Sequence, residues 1–170
     1  MRVVLGSRGD YAVRAVLHLA RHPGRQRRRD ISTAMDIPDK YLPQILGALV
    51  EGGIARSTVG RAGGYELARP PARISLRDVV EAAEGPIRSD KCLMRSGPCY
   101  WSEKCALHDA WTAATVALSD QLAGTSFAGL ARTDWEIEQQ SRLTGSRTSG
   151  AHAPRVHQAT PDRDPPDRDP

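Results

Sequence analysis

Aromatic residues are scarce in this 170-residue chain, at 5% with a single Phe, while hydrophobic residues reach 39%. A core must therefore be assembled from Leu, Ile, Val and Ala, which favours packed helices over a sandwich rich in Tyr and Phe. No run of about 18 apolar residues occurs, which excludes a membrane-spanning helix from the sequence. The opening Met1-Arg-Val-Val-Leu-Gly6 is too short and too soon interrupted for the apolar core of a signal peptide, so the chain is expected in the cytoplasm. The chain also lacks an oxyanion-hole motif, a glycine-rich phosphate cradle and a paired-carboxylate site, which argues against an enzyme. Cys105 and His108, three residues apart on a helix, could in principle act as nucleophile and base. No further catalytic machinery accompanies them.

Cysteines are few, but their placement is informative. Cys92, Cys99 and Cys105 are separated by six and five residues, with His108 just beyond. An odd number clustered in a cytoplasmic chain points to metal or redox chemistry rather than structural disulfides. Soft thiolates favour an iron–sulfur cluster or zinc. Structural zinc sites more often use cysteines two to four residues apart, so the wider gaps lean toward a cluster. Gly97-Pro98 suits a wrapping loop, and Lys91, Arg95 and Lys104 would offset the charge of a thiolate-ligated cluster.

The net charge of +4 decides little by itself, but its distribution is uneven. Residues 1–30 carry eight Arg against Asp10 and Asp30, a local +6, whereas residues 65–141 sum to −3. A basic front third favours an anionic partner, most commonly nucleic acid.

Along the chain, Ser7 with Asp10 reads as a capping pair that opens a helix to about Arg21. Tyr11, Ala12, Ala15, Val16 and Leu19 form its apolar stripe. Arg27, Arg28 and Arg29 lead into a short helix with Ile31, Ala34 and Met35. After Ile37-Pro38, a helix from about Asp39 to Glu51 carries Leu42, Ile45, Leu46, Leu49 and Val50 on one face, and Gly52-Gly53 ends it. Two β-prone runs, 54–59 and 65–67, flank a glycine-rich turn and predict a hairpin. Ser75 with Asp78 caps a helix over 76–84. Residues 87–104 read as a loop, and 105–122 as a long helix with Leu107, Trp111, Ala114, Leu118 and Leu122 along one side. Residues 125–131 add a further short turn. Pro, Asp, Arg, Ser and Thr dominate from about Arg142, ending in a near-repeat of Asp-Arg-Asp-Pro, a composition that predicts disorder.

Helix, helix, turn, helix and hairpin is the order of a winged helix-turn-helix, in which one helix enters the major groove and nearby cations grip phosphates. The fold class expected is thus mainly α with a small β-hairpin wing and a long dimerisation helix. Lys40, Tyr41 and Gln44 fall on the first turns of the recognition helix, where base edges are met. Arg56 and Arg61 flank the wing tip, and Arg27, Arg28 and Arg29 are placed for phosphates.

Four segments, Ser7-Arg-Gly-Asp-Tyr-Ala-Val-Arg-Ala-Val16, Ile37-Pro-Asp-Lys-Tyr-Leu-Pro-Gln-Ile-Leu46, Gly60-Arg-Ala-Gly-Gly-Tyr65 and Ile74-Ser-Leu-Arg-Asp-Val-Val80, resemble the Rrf-two (BadM-like) transcriptional regulators. The resemblance runs from Met1 to about Ala131. It implies a homodimeric repressor on a double-stranded DNA operator, with 107–122 crossing to the partner. It also implies a cluster held by Cys92, Cys99 and Cys105, the first gap being one residue longer than usual. Of the fourth-ligand patterns in this family, a histidine three positions past the last cysteine matches His108. An aspartate in the first helix of the other subunit matches Asp10, the choice favoured here because it would tie the cluster to the DNA-reading unit. A four-iron cluster is favoured over a two-iron one. Where the iron–sulfur biogenesis regulators select their DNA site with a glutamate and an arginine, this chain has Pro43 and Val59, so their operator preference does not carry over. The domain boundaries expected are 1–84 for DNA binding, 85–106 for the cysteine loop, 107–131 for dimerisation and 132–170 for a disordered tail. Thiol switching or structural zinc in place of a cluster is the alternative.

Overall fold

The stripe of small and branched residues on the first helix, α1 (Ser7–Arg21), is what the rest of the fold packs around. In the computed structural model, which describes residues 5–60, 62–87 and 105–143, Ala12, Ala15 and Val16 are fully buried and Leu19 nearly so. Three short helices close on this stripe. They are α2 (Arg28–Met35), which buries Ile31, α3 (Leu42–Glu51), which buries Leu42, Ile45, Leu46 and Leu49, and α4 (Leu76–Glu84), which buries Val79, Val80 and Ala83. Between α3 and α4 lies an antiparallel hairpin of β1 (Ala55–Thr58) and β2 (Gly64–Leu67), paired Ala55 with Leu67, Arg56 with Glu66, Ser57 with Tyr65 and Thr58 with Gly64. This is the expected winged helix-turn-helix.

The turn of the hairpin needs its glycines. Gly60 sits at φ +112°, a region L side chains rarely enter. A Cβ on Gly63 would come within 2.4 Å of the Thr58 carbonyl oxygen.

Two helices complete the described chain, α5 (His108–Gly124) and α6 (Phe127–Leu143). Phe127 enters the core beside α1 and α4 because the backbone pairs there. The Phe127 amide donates to the Ile74 carbonyl at 2.9 Å, and the Leu76 amide donates to that of Thr125 at 2.8 Å. Arg21 at the end of α1 donates to Asp134 at 2.6 Å and to Glu138, which fixes α6 along α1. Arg21, with Arg142, holds the Glu138 carboxyl below the usual carboxylate range.

Several elements differ from the sequence reading. The helix after Thr125 is not a short turn. It is 17 residues long and continues through 132–143, which the sequence had assigned to the tail. The recognition helix begins at Leu42 rather than Asp39, with Pro43 in its first turn. Ser7 and Asp10 form no cap. The amide of Gly9 donates instead to the Glu84 carboxylate at 2.9 Å, so the start of α1 is capped from the end of α4. A Cβ at Gly6 or Gly9 would meet that carboxylate at 2.6 Å, leaving glycine as the residue that admits it. The Ser75–Asp78 capping box forms as read.

His18 on α1 is the one polar side chain buried among the described residues, 5% exposed, and both ring nitrogens lack a hydrogen-bond partner. Burial pushes its pKa below the ordinary histidine value, and the His22 ring stacked at 4.3 Å acts in the same direction. Nearby Gln26 and Asp30 oppose the shift. The folded state therefore favours the neutral ring, and its contribution to stability is complete above about pH 6.5, the unfolded value. Below that the unfolded chain binds a proton the folded chain resists, and stability falls. The urea midpoint is expected to be flat from about pH 7 to 8 and to decline from about 6.5 toward 5. His18→Leu should flatten that decline, and an unchanged pH profile in this variant would refute the assignment.

Candidate nucleic-acid interface

The basic run and the wing, some 30 positions apart in sequence, meet in space. The Gln26 amide and carbonyl pair with those of Tyr65, both at 2.8 Å, adding a bridge beside β2. Arg25 donates to the Ala62 carbonyl at 3.0 Å, which ties the preceding loop to the wing turn. Arg27, Arg28 and Arg29 are thereby held against Thr58, Gly60 and Tyr65, lining an open cleft of about 540 Å³. All three arginines are exposed at the start of α2, where no side chain caps the free backbone amides. Arginine side chains beside an uncapped helix start make a site for phosphate oxygens. Arg25 and Gln26 escaped the sequence reading because a single cross-chain bridge leaves no periodic signal.

Gln44 is exposed on α3. Lys40 and Tyr41 are also exposed but lie in the turn before the helix, not on it. The Lys40 ammonium sits 4.8 Å from the Tyr41 ring centre, and Tyr41 stacks on Tyr11 of α1 at 5.9 Å. Arg56 is misplaced in the sequence reading. It stands two residue pairs back from the wing turn and is bound to Glu66 at 3.1 Å, because the hairpin register sets the two opposite each other. That ion pair sets Arg56 apart from the α2 arginines, which make none among the described residues. Arg61 lies outside the described residues.

Of the candidate cluster ligands, Cys92 and Cys99 lie outside the described residues. Cys105 is a free, half-buried thiol in the turn before α5. The His108 amide donates to the Cys105 carbonyl at 3.0 Å, so the two share one turn. Among the described residues, no group of three or more His, Cys, Asp or Glu side chains is gathered to hold a metal. A soft sulfur and an imidazole in one turn are donors that fit an iron–sulfur centre or zinc.

Asp10 takes part in a contact network that its motif did not reveal. Its carboxylate is paired with Arg14, one turn along α1. The same guanidinium donates to the Met35 carbonyl at 2.8 Å, at the end of α2, and lies 5.2 Å from the centre of the Tyr11 ring. Arg14 therefore joins Asp10, the turn between α2 and α3, and the Tyr11–Tyr41 stack. The i, i+4 spacing of Asp10 and Arg14 was the one sequence signal that could have drawn attention to it.

Helix α5 buries no side chain among the described residues. Val116 and Leu118 are 48% and 42% exposed. No helix among the described residues is long and apolar enough to cross a membrane.

Comparison with known proteins agrees with this architecture. Residues 5–133 match the Rrf2 family, described as iron-dependent transcriptional regulators. The chain is 32% identical to a helix-turn-helix transcriptional regulator of Neisseria meningitidis serogroup A, covering 84% of this chain and 93% of the other. It is 33% identical to the regulator IscR of Aliivibrio salmonicida, covering 81% and 82%. Among solved structures it is similar to CymR, the global cysteine regulator of B. subtilis, with a TM-score of 0.66, 25% identity and coverage of 78% and 98%.

Proposed function

The chain belongs to the Rrf2 family of DNA-binding transcriptional regulators, which are not enzymes, and on that premise we propose that it is a homodimeric repressor controlled by an iron–sulfur cluster. Cys92, Cys99 and Cys105 would hold the cluster, with Asp10 of the other subunit or His108 as the fourth ligand. When bound, the cluster would supply iron open to nitric oxide and oxidants, and occupancy of the site would fall when cluster supply is short. The half-exposed apolar side chains of α5 support a homodimer, since Val116 and Leu118 gain burial against a second copy.

The observation that carries this reading is the position of Arg14. It binds the candidate ligand Asp10 on one side and the α2–α3 turn on the other, while Tyr11 beneath it stacks on Tyr41 before the recognition helix. Recruiting the Asp10 carboxylate to a ligand changes what Arg14 is paired with, and so shifts the turn that aims α3. A preference of a few kcal/mol for one arrangement suffices for a switch.

A second reading keeps the DNA interface and replaces the cluster by thiol switching or structural zinc. The free Cys105 thiol and the likeness to CymR favour it. Anaerobic purification followed by a visible spectrum, with iron, sulfide and zinc assayed on the same sample, separates the two. The cluster reading expects a brown protein that nitric oxide or air bleaches, with loss of colour in either Asp10→Ala or His108→Ala, but not both. A protein that stays colourless and iron-free after reconstitution would rule the cluster out.

A further inference from the structure

The exposed face of α3 is unusually bare. Pro43, Gln44 and Glu51 are exposed on it and Gly47 and Ala48 partly so, and Gln44 alone combines a hydrogen-bonding group with neutrality. Pro43 offers no amide hydrogen, and the charge of Glu51 opposes phosphate.

Gly47 is the anomaly. A glycine inside a helix costs stability relative to alanine, so it calls for a reason. Several other glycines have one within the fold. Gly53 and Gly60 adopt positive φ, and a Cβ on Gly52 would press on Ala82 at 3.0 Å. Gly47 has none. It is absent from the positive-φ residues, and a Cβ built on it meets no atom within 4 Å. Nothing in the described chain requires the missing side chain on this face of α3.

We propose that Gly47 is a specificity-determining residue, whose missing side chain lets the α3 backbone close on the floor of the major groove and brings the Gln44 amide to the edge of an adenine. This rests on the reading above that α3 is the recognition helix. The two residues are three positions apart, so they share the face that enters the groove. A side chain at 47 would hold the helix away from the bases. Gln44 would then lose the bidentate contact to adenine N6 and N7 that glutamine geometry suits. With no second base-reading side chain on this face, the helix cannot recover that contact elsewhere.

The test uses the full chain, purified anaerobically, and a randomised duplex pool of about 30 base pairs, long enough for two half-sites a helical turn or two apart. The enriched duplex then serves as probe. Gly47→Ala should raise the melting temperature by about 2–4 °C, since its methyl group meets nothing. It should also weaken binding to the probe by about tenfold or more. Gln44→Ala should lose discrimination between A·T and G·C at one position of each half-site, and Gly47→Ala should lose it at the same position. A Gly47→Ala protein that melts higher yet binds with wild-type affinity and selectivity overturns the proposal. So does one that melts lower, because the glycine would then have a reason inside the fold. If the wild type enriches no sequence while folding normally, the operator-binding reading fails, and this inference with it.

Discussion

Replacing Arg27, Arg28 and Arg29 together by alanine lowers operator affinity by between about a hundred- and ten-thousand-fold at ~0.1 M salt, with little change in stability. The three side chains are exposed, line the cleft under the wing and make no ion pair among the described residues, so the fold does not depend on them. Their free-energy contribution lies in the counterions that DNA releases when they reach its phosphates. The plot of log affinity against log salt should therefore flatten by about one unit for each arginine that grips a phosphate. Six such contacts are available to a dimer. Arg56→Ala should weaken binding far less, because Glu66 already holds that guanidinium. Affinities measured across a salt series decide the matter. An unchanged slope in the triple variant would place the DNA on another face.

Phe127→Ala should cost about 3–5 kcal/mol, the range for emptying a fully buried aromatic site. That is a large share of the ~5–15 kcal/mol by which a domain is stable. Phe127 is 0% exposed and is the only phenylalanine in the chain. Its own amide is bound to the Ile74 carbonyl, and the Thr125 carbonyl two residues earlier accepts from the Leu76 amide. Losing the Phe127 ring undoes the seat that holds α6 against α1 and the segment before α4. The melting temperature is expected to drop by roughly 6–20 °C, with Phe127→Leu showing a smaller fall. A drop in Phe127→Ala of less than about 2 °C would mean that the Arg21 ion pairs, not this ring, join α6 to the DNA-binding unit.

The stripe of Ala12, Ala15, Val16 and Leu19 is legible in the sequence because burial on a helix repeats every three or four residues. The apolar face of α3 and the Ser75–Asp78 box are legible for the same reason, since cap and helix lie within four positions. The hairpin follows from glycines between two β-prone runs. Family motifs spread over the first 131 residues made the class of function readable as well.

Contacts distant in sequence were not readable in this way. Ser7 and Asp10 have the spacing of a cap, yet the Glu84 carboxylate, 75 residues away, caps Gly9, and Asp10 turns to Arg14. Arg56 resembles a wing-tip cation until the register places Glu66 opposite it. Residues 132–143 look like the start of a polar tail, because what holds them helical against α1 is an arginine on another element. Local patterns determined which segments became helix or hairpin and which faces were apolar, since those choices depend on neighbours within a turn or two. Only the tertiary structure decided which charges are free for DNA and which are already paired. A charge is neutralised by whatever lies within a few ångströms, however far away it is in sequence.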